Sequence, residues 1–180
     1  MTSDGFAGAR VDGPDPALFG LHCTLARGRT LVPLAKALGR AAVLPDLPGH
    51  GHRPWDRQGR YFEACQEVLD AAPSGRVPVF GHSFGGVLAL HFALAQPERV
   101  GALMLYEPVA FVYAHEAGDP EYPKFLDRNA GFAEAMSQGD LSAATRQFLS
   151  FWSDGPPDEL PASALQVIES QIDLVPAQEP

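Results

Sequence analysis

The sequence predicts an α/β fold: a parallel core of about four strands with flanking helices, followed by a helical segment. Three observations carry that prediction. Short apolar runs alternate with stretches whose apolar residues recur at helical spacing. Such alternation builds βαβ units and a parallel sheet covered on both faces. After Glu107 the alternation stops and only helical patterns follow. The hydrophobic fraction of 46% over 180 residues is enough for a real core.

Taken in order, residues 1–16 are rich in Gly, Asp and Pro, with at most a short strand at 6–11. Residues 17–22 read as a buried strand. Thr30 is positioned to cap a helix whose Leu31, Leu34, Ala35 and Leu38 share one face, and Gly39 is its stop. Residues 41–45 form the second strand, and a turn-rich loop runs from Asp46 to Pro54. A helix over 61–72 carries Phe62, Cys65 and Leu69 on one side, with Pro73 beyond its end. Residues 77–80 are the third strand. The helix over 87–95 ends by Gln96, because Pro97 disfavours helix at the residue before it. Residues 100–106 are the fourth strand.

Beyond Glu107 helices are expected at about 121–137, 141–152 and 161–174. The middle one is the clearest. Asp140 is a good N-cap, and Leu141, Ala144, Thr145, Phe148, Leu149 and Trp152 form one stripe, read as packing. The organisation is therefore a core over 1–110 and a helical segment over 111–180.

Between the third strand and its helix stands Gly81-His82-Ser83-Phe84-Gly85-Gly86. Strand, Gly-x-Ser-x-Gly, helix is the sequence form of a nucleophile elbow. The turn is so tight that larger side chains two before and two after the serine would collide. Gly81, Gly85 and Gly86 remove that conflict and leave the Ser83 hydroxyl clear of both elements.

Two more landmarks agree with it. Leu21-His22-Cys23-Thr24 ends the first core strand, and Asp46-Leu47-Pro48-Gly49-His50-Gly51 follows the second. In order and spacing, residues 17–110 resemble the α/β-hydrolase superfamily. Residues 121–175 resemble, more loosely, the helical cap that many members insert after the strand ending in Tyr106. The resemblance implies that Ser83 is the nucleophile and that the Phe84 backbone N–H is one oxyanion donor. It places the other donor on Thr24. Cys23 replaces the glycine usual in this loop, narrowing the site or tilting the donor.

The resemblance also implies parts that do not match. The leading hairpin is short, and the later strands, which carry a catalytic Asp and a late His, are not found before Pro180. The expected architecture is a C-terminally incomplete α/β-hydrolase-like core with a cap.

A serine hydroxyl needs a base within hydrogen-bond reach, commonly a His oriented by a carboxylate. Six histidines are present. His82 is expected to pack beside the elbow and His22 to prop the oxyanion loop; His50 and His52 lie in the turn-rich loop, and His91 on the following helix. His115, just after the last strand, is the candidate base. Glu107, 24 residues after Ser83, is the candidate carboxylate. Haloalkane dehalogenases place an orienting carboxylate at the end of the corresponding strand. Packing at the strand end is the alternative for Glu107.

Other classes are disfavoured. A net charge of −9 argues against nucleic acid or an anionic membrane surface as partner. Two cysteines cannot build a disulfide framework or a Cys-x-x-Cys zinc site. The N-terminus lacks a secretory pattern, and no apolar run approaches a membrane span, so a cytoplasmic location is expected. Asp46, His50 and His52 do not have a strong metal spacing, and no phosphate-binding loop is present. Neither metal nor cofactor is expected.

These readings converge on hydrolysis of a small, partly apolar ester or carbonyl substrate through an acyl-Ser83 intermediate. The alternative is a truncated or non-catalytic relative that binds or associates. In that alternative, missing strands would leave an open sheet edge beside residues 100–106, which invites self-association.

Overall fold

The computed structural model describes residues 6–153 and 155–178. The segment Met1–Gly5, where a leader would begin, and Pro180 lie outside them. The chain divides into two compact units, one reaching Ala110 and one starting at Phe111.

The first unit is built on five strands: β1 (Gly8–Val11), β2 (Leu18–Leu21), β3 (Ala42–Pro45), β4 (Val77–His82) and β5 (Val100–Tyr106). Their order is β1-β3-β2-β4-β5. All neighbours are parallel except β1, which runs antiparallel to β3. The mostly parallel α/β core is thus as expected. β2 and β3 are buried at every residue, which explains their uninterrupted apolar sequences. β5 is different: it lies at the sheet edge, and Leu103, Met104, Leu105 and Tyr106 are all exposed.

Three helices belong to this unit: α1 (Val32–Ala37), α2 (Tyr61–Asp70) and α3 (Phe84–Ala95). Leu31 and Ala35 are buried, and Leu18, Ala42 and Leu44 complete their cluster. Leu38, expected on the same face, is exposed. Thr30 does not cap α1. It sits inside a 3-10 turn, Gly28–Leu31, and its hydroxyl donates to the Arg27 carbonyl (2.7 Å). That tighter turn consumes the residues from which the cap was read. α2 buries Cys65, Val68 and Leu69. α3 starts directly after Ser83, three residues earlier than the apolar pattern suggested.

The second unit is helical: α4 (Phe111–Glu116), α5 (Glu121–Gln138), α6 (Leu141–Trp152), α7 (Ala162–Glu169) and α8 (Leu174–Ala177). Asp140 caps α6 by accepting from the Ala143 N–H (2.9 Å). On the α6 stripe Ala144, Thr145 and Leu149 are buried, while Leu141 and Trp152 at its ends are exposed. α4 was not foreseen. The single helix expected over 161–174 is broken by a turn between α7 and α8. Ile172 and Leu174 are both fully buried. On one continuous helix, residues two apart point about 200° apart, so burying both favours a turn. Among the described residues no helix is long and apolar enough to cross a membrane.

Candidate active site

The carboxyl ends of β2, β4 and β5 bring together most of the residues singled out by sequence. Leu21 pairs with Gly81, and His82 with Tyr106, so the three chain segments leave the sheet side by side. Cys23 and Thr24 follow β2, Ser83 and Phe84 follow β4, and Glu107 follows β5. His115 is on α4 of the second unit, with its ring 5.0 Å from that of Tyr122.

Ser83 adopts φ 54°, ψ −121°. A non-glycine residue there stores strain of about 1–3 kcal/mol and persists only where the surroundings over-determine it. Glycines do so here. A Cβ on Gly81 would collide with the backbone of Gly85 and Gly86, and one on Gly85 with the carbonyl oxygens of Leu21 and His22. The Ser83 N–H donates to the Tyr106 carbonyl (2.9 Å), and the Ser83 carbonyl accepts from Gly86 (2.8 Å). Ser83 occupies the N-cap position of α3, yet its side chain makes no capping bond. The hydroxyl is therefore not consumed by the helix. The Phe84 N–H is the first of α3, at the helix end that favours negative charge.

Facing the elbow, the loop after β2 forms a turn closed by the Ala26 N–H donating to the Cys23 carbonyl (3.2 Å). Within it Leu25 has φ 62°, a second non-glycine residue in the left-handed region. Burial pushes the Cys23 thiol up, away from thiolate character.

Behind this turn lies a polar network that sequence reading did not assemble. The His22 Nδ1–H donates to the Cys23 carbonyl (2.8 Å), and its Nε2 accepts from the Leu47 N–H (2.9 Å). The His50 Nδ1–H donates to the Pro48 carbonyl (2.9 Å), and its Nε2 accepts from the Leu25 N–H (3.0 Å). These partners fix both rings as neutral Nδ1–H imidazoles. Burial, reinforced by the neighbouring His50, pulls the His22 ring down to about 3; Asp46 opposes this. Burial likewise lowers His50. The rings meet edge-on at 5.2 Å. The buried Asp46 carboxylate accepts from the Gly28 N–H (2.8 Å) and the His52 N–H (2.9 Å). Gly51 makes this return possible, because a Cβ there would strike that carboxylate. The available signal was polar residues continuing two buried apolar strands, His22 after β2 and Asp46 after β3.

Glu107, like Ser83 and Leu25, is a non-glycine residue at positive φ, 46°. Its carboxylate stands 4.0 Å from His82 Nε2. Burial lowers the His82 ring, with Glu107 opposing. Both side chains reach solvent, Glu107 more so, and a pair of that kind contributes little stability.

Comparison with known proteins places this geometry. Residues 23–171 match the family model described as alpha/beta hydrolase fold. The lipase LipV of Mycobacterium tuberculosis H37Rv is 39% identical over 92 residues, covering 49% of this chain and 35% of that protein. The esterase Rv0045c of the same organism is 34% identical over 148 residues, covering 79% of this chain and 45% of that one. The chain thus spans less than half the length of these curated relatives. Among solved structures, an alpha/beta hydrolase from Sphaerobacter thermophilus DSM 20745 superposes with a TM-score of 0.62 at 24% identity, over 98% of this chain and 70% of that one. With the elbow, the sheet order and a family match across most of its length, the chain belongs to the alpha/beta hydrolase fold family.

Proposed function

We propose that this chain carries the nucleophile and oxyanion elements of a serine esterase acting on a small, partly apolar substrate. Ser83 Oγ attacks the ester carbonyl, and its proton passes through a base to the departing alkoxide as the carbon–oxygen bond breaks. Water then releases the acyl group from Ser83. The oxyanion is received by the Phe84 N–H and by a donor on the Cys23–Thr24 turn. The reaction as proposed needs no metal or cofactor. Glu107 is assigned the orienting carboxylate and His115 the base, roles to be tested by Glu107→Gln and His115→Asn. The single observation that supports the reading best is Ser83 itself: strained, glycine-flanked and uncapped at the start of α3. Esterase and lipase relatives favour an ester over other carbonyl substrates. A cytoplasmic setting accords with Cys23 and Cys65 both being free thiols.

Fluorophosphonate labelling read by intact mass tests the proposal. One adduct, lost in Ser83→Ala, is expected. A folded chain that takes no adduct would overturn the esterase reading and favour a non-catalytic relative.

We also propose self-association of two copies through β5. This strand has no charge or proline to protect its open edge. Sedimentation should detect a dimer that Leu103→Lys dissolves; a monomer at all concentrations removes the idea.

A further inference from the structure

The loops after β2 and β3 are joined by two histidines acting reciprocally. Each ring donates from Nδ1 to a carbonyl of its own loop. Each accepts at Nε2 a backbone N–H of the other loop, Leu47 for His22 and Leu25 for His50. The second of these bonds falls on the residue that bears the strain. Leu25 at φ 62° is held by an acceptor on a different loop, 25 residues away. Strain of this kind, confined to a loop facing the nucleophile, is an observation from which function can be argued.

We propose that His22 and His50 are positioning residues that hold the Cys23–Ala26 turn so that its donor faces the oxyanion of the Ser83 reaction. The proposal rests on the esterase reading above. The chemistry explains the choice of residue. The position demands one donor and one acceptor on a rigid, uncharged ring. Lys and Arg have no acceptor, and an ionised carboxylate has no donor. A protonated imidazole would present Nε2–H to a backbone N–H and open the latch. The titratable and charged groups facing the rings are Asp46 at the end of β3, the Tyr61 hydroxyl on α2 (3.4 Å from His50 Nδ1) and Arg57 in the intervening loop. Asp46 favours protonation, while burial and, for His50, Arg57 oppose it.

The test compares His50→Phe, which keeps a planar ring without the acceptor, with His50→Gln, which restores a neutral acceptor. With p-nitrophenyl butyrate as probe, His50→Phe should lower kcat on the order of 100-fold, as loss of an oxyanion donor does, with KM little changed. His50→Gln should recover most of it. On the wild-type protein, ¹H–¹⁵N NMR of the rings should find both as Nδ1–H tautomers from about pH 5 to 8, with the Leu25 and Leu47 amides protected from exchange. An Nε2–H tautomer, a ring titrating near its ordinary value, or an unchanged kcat in a folded His50→Phe protein would overturn the proposal. Lack of turnover in the wild type would instead sink the esterase reading. The latch would then be judged by tautomer and amide protection alone.

Discussion

Two turns face each other at the carboxyl end of the sheet, and both hold a non-glycine residue in the left-handed region. They are held by different physics. The elbow at Ser83 is held by shape: glycines let backbone meet backbone, and no side chain is needed. The turn at Leu25 is held by chemistry: His50 of the neighbouring loop accepts the Leu25 N–H, His22 ties the Cys23 carbonyl to the Leu47 N–H, and the buried Asp46 carboxylate accepts the Gly28 N–H where the chain leaves the turn. Shape does not titrate, whereas imidazoles do. The elbow should therefore be indifferent to acid, whereas the histidine-held turn should respond to it.

The largest effect should come from volume at the elbow. Gly85→Val puts a branched side chain against the Leu21 and His22 carbonyls. A loss of more than about 4 kcal/mol is expected, enough to abolish folding. Soluble yield and circular dichroism read it; a folded variant with an unshifted urea midpoint would mean the elbow is not shape-locked.

Acid should act on the other turn. The unfolded His22 ring binds a proton below its ordinary 6.5, and the folded ring only near 3. Between those values the unfolded state holds more protons, so stability is full above about 6.5 and falls as pH drops toward 3. The loss approaches on the order of 4–5 kcal/mol at the acid end. Urea midpoints from pH 7 to 4 should decline in the wild type and flatten in His22→Gln. Equal slopes would count against a neutral His22.

A smaller change isolates the carboxylate. Asp46→Asn leaves an amide N–H₂ facing one of two backbone N–H groups, at a cost of about 1–3 kcal/mol. The expected signature is faster exchange at the Gly28 and His52 amides. The smallest effect lies outside both turns. Asp140→Ala removes the α6 cap for about 1 kcal/mol, with the rate of Ser83 labelling unchanged.

Much of the first unit was legible because its signals are local. The elbow needs only a strand, three small residues and a helix in succession. The buried strands announced themselves as apolar runs, since a strand covered on both faces has no polar side. Local signals also misled. Thr30 looked like a cap but lies within a 3-10 turn, and the apolar residues after Pro161 suggested one helix where the chain breaks between α7 and α8. α4 was missed because six residues are too few to display a helical period.

By itself, the sequence determined the alternation of strands and helices in the first unit, the elbow at Ser83 and the family to which they point. Only the tertiary structure decided which apolar strand is central and which is an edge. β2 and β5 read alike, but neighbours on both sides bury one and a single neighbour leaves the other exposed. It also decided what His22, His50 and Asp46 do. Their partners lie on loops brought together by the pairing of β2 with β3, and a hydrogen bond between residues 25 apart leaves no periodic trace in the chain.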